Sequence, residues 1–164
     1  MRLYSLPMIR QTRDTALGTI SLIEDQGALV RLALPSEPIS VHIPAGDSPL
    51  LQMAFTELDE YFAASRRKFS LPLRAVGTPF QEAVWTELGT IPYRETRSYG
   101  EVAAALGKPG AARAVGMACH RNPLPILIPC HRVVGASGNL TGFGGGLAMK
   151  KALLDLESGA LRFP

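Results

Sequence analysis

Long apolar runs, cysteines and blocks of like charge are all scarce in this chain, and each scarcity narrows what the chain can be. No apolar stretch approaches the roughly 18–20 residues that a membrane span requires, so no membrane association is expected. The opening Met1-Arg2-Leu3-Tyr4-Ser5-Leu6-Pro7 has no continuous apolar core of the kind a secretory signal needs. The two cysteines, Cys119 and Cys130, make no disulfide framework, and a reducing, cytoplasmic compartment fits best. Three histidines and two cysteines at irregular spacing form no recognisable zinc motif, so no metal and no cofactor are expected. There is no internal repeat and no low-complexity segment to suggest a repeat array or a disordered tail.

What remains is an ordinary globular composition, 46% hydrophobic and 19% charged over 164 residues, enough for a sizeable core in one domain or two small ones. The net charge of +3 is modest but unevenly placed. Residues 1–76 are balanced, with eight basic and eight acidic side chains, so residues 77–164 carry the whole excess. Within 94–132, Arg94, Arg97, Lys108, Arg113, Arg121 and Arg132 face only Glu95 and Glu101, a basic stripe suited either to a polyanionic partner or to a solvated surface.

The β-rich runs Thr19–Ile23 and Ala28–Leu34, joined by Glu24-Asp25-Gln26-Gly27, read as a hairpin. A short strand is expected at 39–43 and an edge strand at 69–73. Residues 50–64 read as an amphipathic helix with Leu51, Phe55, Leu58 and Phe62 on one face. Gly77 marks a boundary, giving an N-terminal α/β part over 1–76 and a C-terminal part over 77–164. Two capping boxes then open helices: Thr78-Pro79-Phe80-Gln81, with Phe80, Val84, Trp85 and Leu88 as a core stripe, and Ser98-Tyr99-Gly100-Glu101. Gly107-Lys108-Pro109-Gly110 stops the second, and another helix runs over 111–120, so the basic stripe contains a helix-turn-helix pattern. Ala111, Ala112, Ala114, Gly116 and Ala118 leave that last helix almost without bulk, which suits close approach to a partner or tight helix packing equally. The fold class is therefore α/β (α+β): a small N-terminal part with antiparallel strands, then a mainly helical, winged-helix-like helix-turn-helix part.

Chemistry concentrates in Ile128-Pro129-Cys130-His131-Arg132-Val133. A thiol beside an imidazole is a common route to a thiolate near neutral pH, and a free thiol, with a pKa of about 8.5, is otherwise mostly protonated there. Pro129 narrows how Cys130 is presented, and Pro125–Pro129 would shield the sulfur from water. A bare Pro-Cys-His is also compatible with an inert core cysteine.

Read together, Arg113-Ala114-Val115-Gly116 and Asn122-Pro123-Leu124-Pro125-Ile126-Leu127-Ile128-Pro129-Cys130-His131-Arg132-Val133-Val134-Gly135 resemble the O6-alkylguanine-DNA alkyltransferases, the methylated-DNA–protein-cysteine methyltransferases. The resemblance runs from about Thr78 to Glu157 and is most specific over 122–134. It implies a DNA repair protein that moves an alkyl group from O6-alkylguanine, and from O4-alkylthymine, in a flipped-out nucleotide onto its own cysteine once per molecule. Cys130 is then the nucleophile, His131 takes its proton through a water, and Glu157 orients His131. Tyr99 donates toward the departing purine, and Asn122 bridges the recognition helix to the cysteine segment. Arg113 fills the gap left by the flipped base, with Ala112, Ala114 and Gly116 along the minor groove. Pro125, Val133, Phe143 and Gly144 line the alkyl and purine pocket, Gly142-Phe143-Gly144-Gly145-Gly146 being the glycine-rich loop of the site. Phe143 departs from the tyrosine of many members: the ring keeps a stacking face and loses a phenolic donor. Lys150 falls on a family lysine, and Arg132 is read as structural or phosphate-binding. Some members hold zinc near the N-terminus, but this chain has no cysteine before Cys119, and His42 alone cannot replace that site.

The resemblance implies double-stranded DNA as the partner, with no cofactor, no obligatory protein partner and a monomer in solution. A helix-turn-helix regulator is one rival reading, disfavoured because no effector domain is evident. A damage-flagging module is another, and it would lack the cysteine. A cysteine hydrolase would need a different Cys–His geometry and an oxyanion site.

Overall fold

The computed structural model describes residues 6–35, 37–39 and 42–164. Three strands, β1 (Ile9–Thr15), β2 (Gly18–Asp25) and β3 (Ala28–Ala33), form an antiparallel meander in the order β1-β2-β3. The β2–β3 turn places Gln26 and Gly27 at φ 49° and 77°, the paired left-handed conformation that matches strand twist in a two-residue hairpin. β1 has no counterpart in the sequence reading. Its Arg-Gln-Thr-Arg-Asp-Thr run lacks apolar alternation because it is a partly exposed edge, and Thr12 hydrogen-bonds Ser21 of β2 at 2.7 Å.

Helix α1 (Pro49–Phe62) starts at Ser48, whose side chain accepts from the Leu51 amide, and buries Leu51, Ala54, Phe55, Leu58, Tyr61 and Phe62 against the sheet and the C-terminal elements. The segment read as an edge strand over 69–73 makes only a single bridge, Leu29 to Leu73, with Leu29 donating to Pro72 and Arg74 donating back to Leu29. Pro72 has no N–H to extend the ladder. The strand read over 39–43 includes Ser40 and Val41, which lie outside the described residues; Ile39, His42 and Ile43 are not in a strand.

Both capping boxes are present. Thr78 caps α2 (Pro79–Leu88) with Gln81 reaching back, and Ser98 caps α3 (Tyr99–Ala105) with Glu101 reaching back. Gly77 cannot carry a side chain here, since a Cβ would sit 2.6 Å from both the Gln81 side chain and the Trp85 ring. Trp85 is core, its indole N–H donating 2.8 Å to the Ala118 carbonyl of α4 (Ala112–His120). α3 and α4 pack as the helix-turn-helix pair, followed by a 3₁₀ turn at Cys130–Arg132 and α5 (Leu147–Ser158).

A parallel pair absent from the sequence reading draws the site together: β4 (Arg97–Ser98) against β5 (Val133–Val134). β4 leads directly into Tyr99, and β5 follows directly from Cys130-His131-Arg132, so one short ladder ties the start of α3 to the cysteine turn. One hydrophobic cluster runs from Ile20, Leu22 and Leu32 through α1 to Trp85, Val115, Cys130 and Leu156, crossing Gly77. Leu32 also donates to the Pro123 carbonyl at 2.9 Å, tying the sheet to the segment before the cysteine. No helix among the described residues is long and apolar enough to cross a membrane.

Thr78→Ala removes a reciprocal cap and is expected to destabilise the protein by about 1 kcal/mol. Urea unfolding should show a lower midpoint with an unchanged slope. An unchanged midpoint would mean that the packing of Val84, Trp85 and Leu88 alone holds α2.

Candidate active site

Cys130 is 5% exposed and His131 is fully buried, both on the 3₁₀ turn. The chain reaches that turn under strain. Ile126 has φ 73°, a left-handed conformation that costs a β-branched residue on the order of 1–3 kcal/mol. Asn122 braces it: the side-chain amide donates 2.9 Å to the Ile128 carbonyl, and its oxygen accepts from the Leu124 amide at 2.9 Å. The Ile128 amide closes the loop on the Leu124 carbonyl at 2.8 Å.

Glu157, on the last turn of α5, is 2% exposed and is the focus of the buried charge. His131 Nε2 lies 2.7 Å from its Oε1, and Arg132 donates through Nε and a terminal nitrogen at 2.8–3.2 Å. Arg132 also donates 2.7 Å to the Ile91 carbonyl, which settles its role as structural and buried. The exposed helix-end position that Asp155-Leu156-Glu157 suggests in isolation is not what the fold makes of Glu157. Burial pushes its carboxyl up, but hydrogen bonds from His131 and Arg132 outweigh this and hold it down to about 2. An ionised carboxylate only accepts, so Nε2 of His131 carries the proton and Nδ1 presents its lone pair. Nδ1 is buried and has no hydrogen-bond partner among the described residues. Burial lowers the His131 pKa from its ordinary value against the pull of Glu157, so the ring rests neutral.

The Cys130 thiol does not rest as a thiolate, contrary to what an adjacent imidazole suggests. Burial pushes it up to about 11, although hydrogen bonding to Asn122 and the charge of Lys150 pull the other way. Cys119, half-buried on α4, is pushed up to about 12, first by burial and then by Cys130.

A second cluster centres on Tyr99. Its hydroxyl donates to the Thr141 carbonyl at 3.0 Å and lies 3.4 Å from Lys150 Nζ. Lys150 is fully buried and donates to the carbonyls of Val133 (2.5 Å) and Thr141 (2.9 Å), stitching β5 to the glycine-rich loop. Burial raises the Tyr99 pKa, so the phenol remains a donor. Gly142 and Gly146 have φ 43° and 91°, conformations that favour glycine and keep the loop backbone bare.

An open cleft of about 360 Å³ lies between α4 and this loop, lined by Tyr99, Ala112, Arg113, Gly116, His120, Thr141 and Gly142. Arg113 and Ala114 are exposed, and Arg113 makes no hydrogen bond or ion pair among the described residues. A Cβ on Gly116 would lie 3.8 Å from the Tyr99 ring, an ordinary contact, so packing within the protein does not demand the missing side chain. Pro125 and Val133 are buried and do not line the open cleft; Phe143 is half-buried against the core and Gly144 is exposed. Met117 and His120 on α4 escaped the sequence reading, as did Tyr61, whose hydroxyl donates 2.7 Å to Glu157. Tyr61 follows Leu58 by three residues on the buried face of α1, and a phenol on an apolar stripe must find a partner. That need was a readable signal. Among the described residues, no three His, Cys, Asp or Glu side chains gather into a group that could hold a metal ion.

The chain is similar to known proteins over nearly its whole length. Residues 8–75 match the 6-O-methylguanine DNA methyltransferase, ribonuclease-like domain, and residues 79–159 match the DNA binding domain of the same name. A methylated-DNA–protein-cysteine methyltransferase of Mycobacterium tuberculosis is 47% identical over 150 residues, covering 90% of each chain. The constitutive enzyme of that name from Bacillus subtilis is 45% identical over 153 residues, covering 89% of this chain and 93% of its own. The crystal structure of Mycobacterium tuberculosis OGT in complex with DNA superposes with a TM-score of 0.88 at 44% identity, covering 94% of this chain and 95% of that one. With family models matching residues 8–75 and 79–159, and relatives matched over about nine-tenths of its length, the chain belongs to the 6-O-methylguanine DNA methyltransferase family.

Proposed function

We propose that this protein repairs DNA by transferring the alkyl group of O6-alkylguanine, and of O4-alkylthymine, from a flipped-out nucleotide to Cys130, once per molecule. The observation that supports the reading is the orientation of His131, the residue next to Cys130 in the chain: Glu157 accepts from Nε2–H, which leaves Nδ1 buried and without a hydrogen-bond partner among the described residues. Cys130 Sγ gives its proton through a water to Nδ1, and the thiolate attacks the alkyl carbon in line. The S–C bond forms as the C–O6 bond breaks, and the electron pair leaves with the purine. Tyr99 turns its hydroxyl from the Thr141 carbonyl to the purine ring, with Lys150 donating behind it. The purine anion takes up a proton from solvent as it leaves and His131 releases the thiol proton to solvent, so the net change is the S–H proton transferred to guanine. A thioether is not hydrolysed under these conditions, so transfer is stoichiometric.

DNA approaches along α4. Among the described residues no side chain caps its N-terminus, which leaves the first amides open to a phosphate, while Ala112, Ala114 and Gly116 keep the surface low and Arg113 is exposed. Residues 1–76 act as the supporting unit and 77–164 as the DNA-binding and alkyl-accepting unit. The protein works as a monomer in the cytoplasm, where its two free cysteines stay reduced.

Intact mass after incubation with an O6-methylguanine duplex should rise by about 14 Da, one methylene equivalent, with the label on Cys130. Cys130→Ser should abolish the gain while duplex binding persists. Turnover of several equivalents, or a label on Cys119, overturns the assignment.

Because burial holds the resting thiol up to about 11, Cys130 in the free protein should react sluggishly with small thiol reagents at neutral pH and accelerate only as pH climbs toward that value. Alkyl transfer should already run at neutral pH, since it needs His131 deprotonated and that pKa is lowered. Rapid reagent labelling of Cys130 at pH 7 would contradict the protonated resting state.

Arg113→Ala should slow repair of duplex DNA by on the order of tenfold or more, because unstacking a base costs a few kcal/mol. Reaction with free O6-benzylguanine, which needs no flipping, should change little. Equal losses on both substrates would move Arg113 from base extrusion to pocket structure.

A further inference from the structure

Tyr61 comes from α1, in the N-terminal part, yet it ends at the centre of the C-terminal charge cluster. The residue is fully buried, with its ring edge-on to Phe62 and Tyr93 at 5.6 and 6.3 Å and tilted against Phe69 at 5.3 Å. Its hydroxyl donates 2.7 Å to Glu157 Oε1, the same oxygen that His131 Nε2–H reaches at 2.7 Å, and lies 3.4 Å from that nitrogen. Burial pushes the phenol far above its ordinary range, so it stays a donor at any working pH.

We propose that Tyr61 is a positioning residue of the alkyl-transfer site: its hydroxyl holds the Glu157 carboxylate and, by sharing Oε1 with His131, sets how strongly His131 accepts the proton of Cys130. The proposal rests on the alkyl-transfer reading above and extends it to the N-terminal part. Arg132 already balances the charge of Glu157. A further donor on Oε1 draws more electron density away from the oxygen facing Nε2–H, so the carboxylate stabilises an imidazolium less. Arg132 and Lys150 disfavour the imidazolium by their own charge, Tyr93 stands against Tyr61 and beneath Arg132, and Cys130 is the next residue along the chain. Among the described residues, Tyr61 is the only donor to Glu157 that does not come from the 3₁₀ turn itself.

The test uses the full-length protein with Tyr61→Phe, which keeps the ring packing and removes the hydroxyl. In the variant, ¹⁵N NMR of histidine should retain the Nε2–H tautomer of His131 and show its protonation moved up by roughly 0.5–1 pH unit, about half the weight of one hydrogen bond to a charged group, because that bond acts on His131 only through the shared oxygen. The acid limb of single-turnover Cys130 alkylation by free O6-benzylguanine should move up with it. Placing 3-fluorotyrosine at position 61 alone, a stronger donor of nearly the same shape, should move both readouts down, and it decides the matter if Tyr61→Phe fails to fold. An unmoved His131 titration in these variants overturns the proposal, as does a rate loss that is uniform across pH. Failure of the wild-type protein to alkylate would overturn the alkyl-transfer reading instead, while the His131 titration still decides the part played by Tyr61.

Discussion

The site depends on one buried carboxylate. Glu157 takes hydrogen bonds from Arg132, His131 and Tyr61, which arrive from the 3₁₀ turn and from α1, while it stands on α5. A charge that deep is tolerable only when paired and fully hydrogen-bonded, and breaking such a pair costs roughly 3–5 kcal/mol. The same bonds therefore serve two ends. They fix α5 against the cysteine segment, and they fix the tautomer of His131, hence the direction in which it can take a proton.

A second set of constraints holds the cysteine itself. Left-handed Ile126 would relax if free, but Asn122 occupies the groups on either side of it and Leu124 and Ile128 close the loop. Downstream, the β4–β5 ladder and the Lys150 ammonium on the Val133 carbonyl stop the chain from drifting. Among the described residues, Lys150 is buried without a carboxylate partner of its own; carbonyl oxygens of Val133, Thr141 and Gly142 surround it, and burial lowers its pKa.

Local chemistry in the sequence announced much of this. The capping boxes at Thr78 and Ser98 fix two helix starts because the residues that satisfy the orphan amides lie within four positions. The apolar face of α1 and the β2–β3 turn are legible for the same reason, since period and turn chemistry are short-range. β1 was illegible because an edge strand of polar residues carries no apolar alternation, and the β4–β5 pair because two residues carry no period at all. The grouping of Cys130, His131, Glu157, Tyr99 and Asn122 came through resemblance, not from spacing. Glu157 on its own reads as a surface residue, and only tertiary packing buries it. Tyr61 and the burial of Lys150 belong to that same class of long-range facts.

In the proposed reaction, burial of the Cys130 thiol has a consequence of its own. A cysteine that serves once and is not regenerated is lost to any stray electrophile that reaches it as a thiolate. Burial pushes the Cys130 thiol up to about 11 and lowers the pKa of His131, so in the proposed reaction the proton stays on sulfur until the neutral imidazole takes it. Reactivity then depends on geometry more than on resting ionisation: the alkyl carbon must be in line, and the purine must sit where Tyr99 can donate to it as negative charge develops. A low-pKa thiolate would gain speed with every electrophile alike. A protonated thiol with a pre-oriented base gains it chiefly for an electrophile held in line with the sulfur.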